Sequence, residues 1–94
     1  MVDLTEDNEL QSTYLRGLTA KLDTLNSAKR DLLSDTEEAA ETLRRVAHQL
    51  KGSGATYGFP QISEAAELVE ESELESIHFK TNRLIQILKK LIKD

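Results

Sequence analysis

A histidine, a lysine and a glycine lie close together near the middle of the chain, and together they are its best candidate for chemistry. His48 is followed by Lys51 three residues later and by Gly52 four residues later. On a helix these spacings bring all three residues to one side, so an ammonium group and a bare stretch of backbone would flank the imidazole. The arrangement suits an anionic group carried on the histidine.

Transfer of a phosphoryl group through an imidazole makes three demands that this group of residues can meet. The Nε2 atom must reach solvent for in-line attack, a cation must offset the charge of the transferred group, and nearby bulk must be low enough for a partner to dock. A glycine inside a helix costs about 1 kcal/mol relative to alanine. Access for a partner explains Gly52, whereas close packing of a neighbouring helix would explain Gly54.

The charge pattern sets the same stretch apart. The chain carries 17 acidic and 12 basic residues and a net charge of −5 at pH 7, which disfavours a nucleic-acid partner because phosphate contacts need a basic surface. Residues 42–63 nevertheless contain no Asp or Glu, and Arg44, Arg45 and Lys51 fall among them. We predict a locally basic surface around His48, with Arg44 one turn before it as a docking residue for an acidic partner.

Apolar residues recur at helical spacing in four segments, and strand signals are essentially missing. The first two stripes comprise Leu10, Tyr14, Leu15, Leu18, Leu22, Leu25, Ala28 and Leu32, and then Ala39 or Ala40, Leu43, Val46, Ala47, Leu50, Gly54 and Tyr57. The last two comprise Ile62, Ala65, Ala66 and Val69, and then Ile77, Leu84, Ile85, Leu88, Leu91 and Ile92.

Capping residues divide these segments into four helices. Ser34 or Asp35 can cap the second helix, and Ser76 the fourth. Gly58 is free to take the left-handed conformation that ends the second helix, and Pro60 can open the third. Four amphipathic helices joined by short turns predict an all-α fold, an antiparallel up-down-up-down four-helix bundle.

A length of 94 residues supports one hydrophobic core, so we predict a single domain over residues 1–94, with residues 1–8 as a flexible or short lead-in. His48 then lies on the exposed side of the second helix, backed by core. One bundle can bury its own apolar stripes, and we therefore expect a monomer.

Several other classes of function are disfavoured. The chain has no cysteine, and so no disulfide, thiol nucleophile or thiolate metal site. It has neither an apolar run long enough for a membrane span nor a signal-peptide pattern, and we expect a cytoplasmic protein with no membrane insertion. His78 lies 30 residues from His48 without further converging ligands, so we predict no metal and no cofactor. The acidic residues among positions 70–75 are interpreted as a solvated surface.

The segment Ala47–Pro60 resembles the histidine-containing phosphotransfer domains of two-component phosphorelays. It has the histidine, the Leu-Lys-Gly that closely follows it, the small residues after that and a glycine at the turn. The resemblance extends to the expected four-helix layout with the phosphorylated histidine on the second helix. It implies that His48 is the phosphoacceptor, that Lys51 stabilises the phosphate, and that Gly52 gives a partner clearance.

The resemblance also implies the partners, namely response-regulator receiver domains, a sensor histidine kinase, or both. The partner would supply Mg²⁺ and most catalytic groups, so the chain would be a phosphocarrier rather than an enzyme. Ala55, on the outward stripe with His48, and Phe59, beside the turn, are predicted to border the docking surface. Two alternatives stay open: a phosphoacceptor domain excised from a larger hybrid or chemotaxis-type histidine kinase, and a structural helical adaptor whose histidine is incidental.

Overall fold

The computed structural model describes residues 4–93, with side chains described from residue 9 onward. Over this range the chain forms four α-helices and no strand. The helices are α1 (Leu4–Asp31), α2 (Thr36–Thr56), α3 (Pro60–Glu70) and α4 (Leu74–Lys93). Helix α1 begins at Leu4, within the residues 1–8 that were expected as a lead-in, and residues 1–3 lie outside the described part.

The helices form the predicted antiparallel four-helix bundle. Each packs against the next in sequence, and α4 returns to pack against α1. Because the connections are short, consecutive helices run in opposite directions and the topology is up-down-up-down. The bundle measures 50 × 20 × 17 Å. Within the described residues, none of the helices combines the length and the apolar character that crossing a bilayer requires.

The predicted stripes form the core, with two exceptions at one end of the bundle. The stripe residues that are buried are Leu18, Leu25, Ala28, Ala39, Ala40, Leu43, Val46, Ala47, Leu50, Gly54, Ile62, Ala65, Ala66, Val69, Ile77, Leu84, Ile85 and Leu88. Leu10 and Tyr57 were expected in the core but are exposed. Tyr57 is the C-cap of α2 and has already left the helix, while Leu10 lies beside it at the margin of a shallow cavity.

The turn between α2 and α3 follows the prediction closely. Gly58 has a φ of +87°, the left-handed conformation that glycine adopts without strain. The amide of Phe59 donates to the carbonyl of Gly54 at 2.8 Å, and that of Gly58 to the carbonyl of Ala55 at 3.3 Å. These two bonds make a Schellman motif, which satisfies the last carbonyls of α2. Pro60 then opens α3, as expected.

Helices α2 and α3 stay close together after this turn because Gly54 has no side chain to separate them. A Cβ at Gly54 would lie 3.0 Å from the Ile62 side chain and 3.1 Å from the Ser63 amide nitrogen. The expectation that a neighbouring helix packs closely on Gly54 is therefore confirmed. This contact fixes the register of α3 against α2, and that register positions the functional site.

The other two connections join α1 to α2 and α3 to α4, and the predictions of their caps differ in accuracy. Asp35, one of the two expected caps, occupies the N-cap position of α2, but its side chain makes no capping hydrogen bond. The expected cap at Ser76 is wrong, because α4 begins at Leu74. The amides of Ser76 and Ile77 donate to the carbonyl of Glu73 at 3.1 and 3.0 Å. Ser76 is therefore inside the first turn of α4, where its hydroxyl also bonds the Glu73 carbonyl.

Thr81 is a buried polar residue of α4. The residue is fully buried, and among the described residues its Oγ1 has no hydrogen-bond partner. Because a buried unpaired hydroxyl costs free energy that a methyl group of similar shape does not, Thr81→Val should raise the free energy of unfolding by about 1 kcal/mol. Urea unfolding would measure the change. A Thr81→Val protein less stable than the parent would show that the hydroxyl has a partner.

Candidate functional site

His48 lies in the middle of α2, next to residues that belong to the core. Val46, Ala47 and Leu50 are buried, which turns His48 outward on the opposite side of the helix. Its side chain is 72% exposed. The imidazole Nδ1 lies 2.5 Å from Oε2 of Glu70 on α3. The ring is thus open to solvent on one edge and held by a carboxylate on the other.

This hydrogen bond determines which ring nitrogen is available for chemistry. An ionised carboxylate only accepts hydrogen bonds, so in the neutral imidazole the Nδ1 atom carries the hydrogen and donates it to Glu70. The other nitrogen, Nε2, is then left with its lone pair. This tautomer follows from the bonding partner at Nδ1 and leaves the Nε2 lone pair of His48 free to act as a nucleophile.

Lys51 lies one turn after His48, as predicted, but its ammonium group is already paired. Its Nζ atom is 3.5 Å from Oε1 of Glu70 and 3.7 Å from Oε1 of Glu67. Glu70 therefore bridges the two residues, with one oxygen toward the imidazole and the other toward the ammonium group. The expectation of a locally basic surface is wrong at this point, because α3 brings two carboxylates to it.

The antiparallel packing of α2 and α3 explains why these four side chains meet. His48 and Lys51 are one turn apart on α2, and Glu70 and Glu67 are one turn apart on α3. Because the helices run in opposite directions, His48 faces Glu70 and Lys51 faces Glu67. The Ser63 hydroxyl also donates to the Lys51 backbone carbonyl, which adds a further tie between the helices.

Sequence reasoning missed Glu67 and Glu70, although a signal for them was present. His48 lies ten residues before Gly58, and Glu70 lies twelve residues after it. In a helical hairpin, residues at similar distances from the turn lie side by side. The acidic residues at positions 70–75 were interpreted as a solvated surface, yet Glu70 is half-buried and bound to the histidine.

Arg44, the predicted docking residue one turn before His48, contacts its own chain. Its guanidinium donates to the backbone carbonyl of Ser72 at 2.8 Å, and its side chain is half-buried. Arg44 therefore ties α2 to the connection between α3 and α4. A role in docking remains a prediction for this residue.

The other predicted docking residues occupy the part of α2 that follows His48. Gly52 and Ala55 are exposed, and no described atom outside the local backbone lies within 4 Å of a Cβ placed at Gly52. Nothing in this part of the fold therefore requires a glycine at Gly52. Phe59 is half-buried, and its ring stacks on that of Tyr14 with centroids 5.8 Å apart.

Tyr14 holds this end of the bundle together from α1. Its ring stacks on Tyr57 at a centroid distance of 4.6 Å, and its hydroxyl shares a 2.7 Å hydrogen bond with the Ser53 hydroxyl. Burial raises the pKa of the Tyr14 hydroxyl above its usual range, so the group stays protonated at neutral pH. The segment of α2 that carries Gly52 and Ala55 is thereby fixed against α1.

The remaining histidine is remote from this cluster. His78 is exposed near the start of α4 and lines a cavity beside the connection between α1 and α2. Within the described part of the chain, no group of three or more His, Cys, Asp or Glu residues is arranged to hold a metal ion.

The antiparallel four-helix bundle therefore carries an exposed histidine in the middle of its second helix and a lysine one turn later. A family model described as the Hpt domain matches residues 9–93, nearly the whole chain. The chain belongs to the Hpt domain family. Hpt domains take part in phosphotransfer in two-component signalling, as carriers rather than catalysts, and interact with receiver domains or kinases. Neither a curated protein nor a solved structure matches the chain.

Proposed function

We propose that the chain is a phosphocarrier whose His48 accepts a phosphoryl group at Nε2 from a receiver aspartate or a kinase and passes it to a receiver aspartate. The observation that carries this proposal is the hydrogen bond between Nδ1 and Glu70, on an imidazole that is otherwise open to solvent. It is supported by membership of the Hpt family, in which phosphotransfer is the common activity.

The transfer step follows from the proposed tautomer. The Nε2 lone pair attacks the phosphorus of the aspartyl phosphate, the P–N bond forms, and the P–O bond breaks to release the aspartate as a carboxylate. The Nδ1 hydrogen stays in place, so the phosphorylated ring is cationic. The Glu70 carboxylate beside Nδ1 stabilises that cation as it forms. Transfer to a second receiver is the same step in reverse.

Lys51 has to exchange partners during this reaction. In the unmodified protein its ammonium group lies near Glu67 and Glu70, and a phosphoryl group on Nε2 would offer it a more highly charged partner. We expect Lys51→Ala to slow phosphoryl transfer by roughly tenfold, the loss of one charge-assisted contact of about 1.5 kcal/mol in the transition state. Stability should change little, because exposed ion pairs contribute little to it.

The Lys51 prediction is checked by rapid-quench measurement of label transfer from a phosphorylated receiver, together with a thermal unfolding curve. Lys21→Ala is a matched control, because Lys21 is half-buried like Lys51 and its ammonium group bonds the side chain of Gln49 on α2. Equal rates for Lys51→Ala and the parent would remove Lys51 from the proposed mechanism.

A substitution at Gly52 can separate an effect on partner clearance from an effect on the stability of the fold. With open space at its Cβ position, Gly52→Ala should raise the free energy of unfolding by about 1 kcal/mol while slowing transfer to and from receivers. Gly17→Ala is the control, because a Cβ at Gly17 in α1 also meets no described atom within 4 Å. It should give the same stabilisation with unchanged transfer. Equal transfer by the two variants would contradict the clearance role.

The partner would supply the catalytic groups and the Mg²⁺, as the family resemblance implies. A response-regulator receiver domain or a sensor histidine kinase would dock over Gly52, Ala55 and Phe59, and the chain would act as a monomer in the cytoplasm. The same chemistry at His48 would serve a phosphoacceptor domain within a larger hybrid or chemotaxis-type kinase.

The test of this function is to incubate the chain with a panel of phosphorylated receiver domains and kinases from its source and to follow protein-bound phosphate. Label that is lost in acid and kept in alkali, the behaviour of phosphohistidine, is the expected result. A chain that takes no label from any of them would be a helical adaptor with an incidental histidine.

A further inference from the structure

Besides the surface around His48, a second surface lies at the end of the bundle where α1 connects to α2 and where α4 begins. It surrounds a cavity of about 330 Å³ whose lining includes Lys29, Arg30, Leu32, Leu33, Leu74 and His78. We call this surface the Leu33 groove. Thr36, which also lines it, lies twelve residues before His48, about 18 Å along α2 at 1.5 Å per residue.

The groove exposes apolar side chains that the fold does not need to expose. Leu33 is 96% exposed, the highest value among the large apolar residues that the structure describes, and Leu74 is 45% exposed. Leu32, between them and the core, is half-buried and packs against the core. Neighbouring exposed leucines around a cavity form a small apolar patch that a docked partner could cover.

The charges that line the groove are of one sign. Lys29 and Arg30 line it and no Asp or Glu does, in a chain with more acidic than basic residues. Among the described residues neither of these cations forms an ion pair, although Lys29 donates to the Asn82 side chain at 2.7 Å. A separate cavity of about 590 Å³ at the same connection has Asp23, Asp31, Asp35 and Glu38 among its lining residues. The preference for an anionic occupant is therefore local to the groove.

We propose that the Leu33 groove docks a segment of a partner protein in which aliphatic side chains are flanked by carboxylates. The aliphatic side chains would cover Leu33 and Leu74, and the carboxylates would pair with Lys29 and Arg30. A small organic anion in the cavity would leave the Leu33 side chain exposed to water. The occupant is therefore a protein segment, which is large enough to cover it. Its distance from His48 lets this docking occur independently of the proposed phosphotransfer.

The test uses random peptides displayed on phage, with the full chain as bait. Peptides that combine Leu, Ile, Val or Phe with Asp or Glu should be enriched. Synthetic copies should bind Leu33→Ser and Arg30→Glu at least roughly tenfold more weakly than the parent. Both positions are exposed, so neither variant should unfold. Phe79→Ser is the matched control, because Phe79 is 71% exposed and lies outside the groove. It should bind like the parent, as should His48→Gln.

Each other outcome overturns the proposal. No enrichment, or equal binding by the Leu33→Ser variant, would show that the groove docks no peptide. A synthetic peptide with Asn and Gln in place of Asp and Glu that binds as tightly would remove the role of charge. Self-association of the parent that Leu33→Ser abolishes, measured by sedimentation, would make a second copy the occupant. Octanoate that causes the same amide shifts in the groove as the peptide would make it a small-anion site.

Discussion

His48→Gln is expected to take up no phosphoryl group from any receiver or kinase that labels the parent. The loss should be complete, because the proposed P–N bond forms on the imidazole itself and glutamine offers no equivalent nucleophile. The fold should be retained. With the His48 side chain 72% exposed, the free energy of unfolding should change by no more than about 0.5 kcal/mol.

His78→Gln serves as the control for this prediction. His78 is the other histidine of the chain, is exposed, and lies on α4 away from the cluster around Glu70. It should accept label at the parental rate. Acid-labile label that persists in His48→Gln but disappears in His78→Gln would show that the phosphoacceptor is His78 on α4 and not His48 on α2.

Removal of the Glu70 carboxylate should have the second largest effect, and it acts through His48. Glu70→Ala takes away the acceptor at Nδ1, so the hydrogen is free to move to Nε2 and the attacking lone pair is lost in part of the population. The cationic product also loses its stabilising charge. A charge-assisted hydrogen bond contributes about 1.5 to 3 kcal/mol, so we expect phosphorylation to slow by roughly ten- to a hundredfold.

Glu67→Gln separates this effect from a general change of charge near the site. Glu67 contacts Lys51 at 3.7 Å, whereas Glu70 contacts both Lys51 and the imidazole. Glu67→Gln should therefore leave the tautomer intact and change the rate much less than Glu70→Ala does. The ¹⁵N spectrum of the His48 ring reports the tautomer directly. Equal rates and equal ring spectra for Glu70→Ala and the parent would show that Glu70 does not position the histidine.

Much of the fold was predictable because helix periodicity and capping chemistry are local. The spacing of Leu43, Val46 and Leu50 indicated which side of α2 is buried, and it thereby turned His48 outward. Gly58 and Pro60 carry their conformational preferences with them, so the turn between α2 and α3 could be predicted from residue type alone. Where two residues could cap a helix equally well, as at Ser34 and Asp35, the sequence could not choose between them.

The predictions of burial and surface charge were wrong where a residue's surroundings depend on a neighbouring helix. Tyr57 fits the apolar spacing of α2, but the helix ends one residue earlier and its ring stacks on Tyr14 of α1. The absence of acidic residues near His48 in the sequence suggested a basic surface. In the structure Glu67 and Glu70 arrive from α3, because the Gly54 contact sets the register between the two helices. The positions of charged residues along the sequence do not reveal the register between α2 and α3.

The measurement that tests the central claim most directly is the ³¹P and ¹⁵N NMR spectrum of the phosphorylated chain, labelled at its histidines. We expect one phosphohistidine, at His48, with phosphorus bonded to Nε2 and with Nδ1 still carrying a hydrogen that is bonded to Glu70. A phosphoryl group on Nδ1 of His48, on His78 or on a non-histidine side chain would contradict the account.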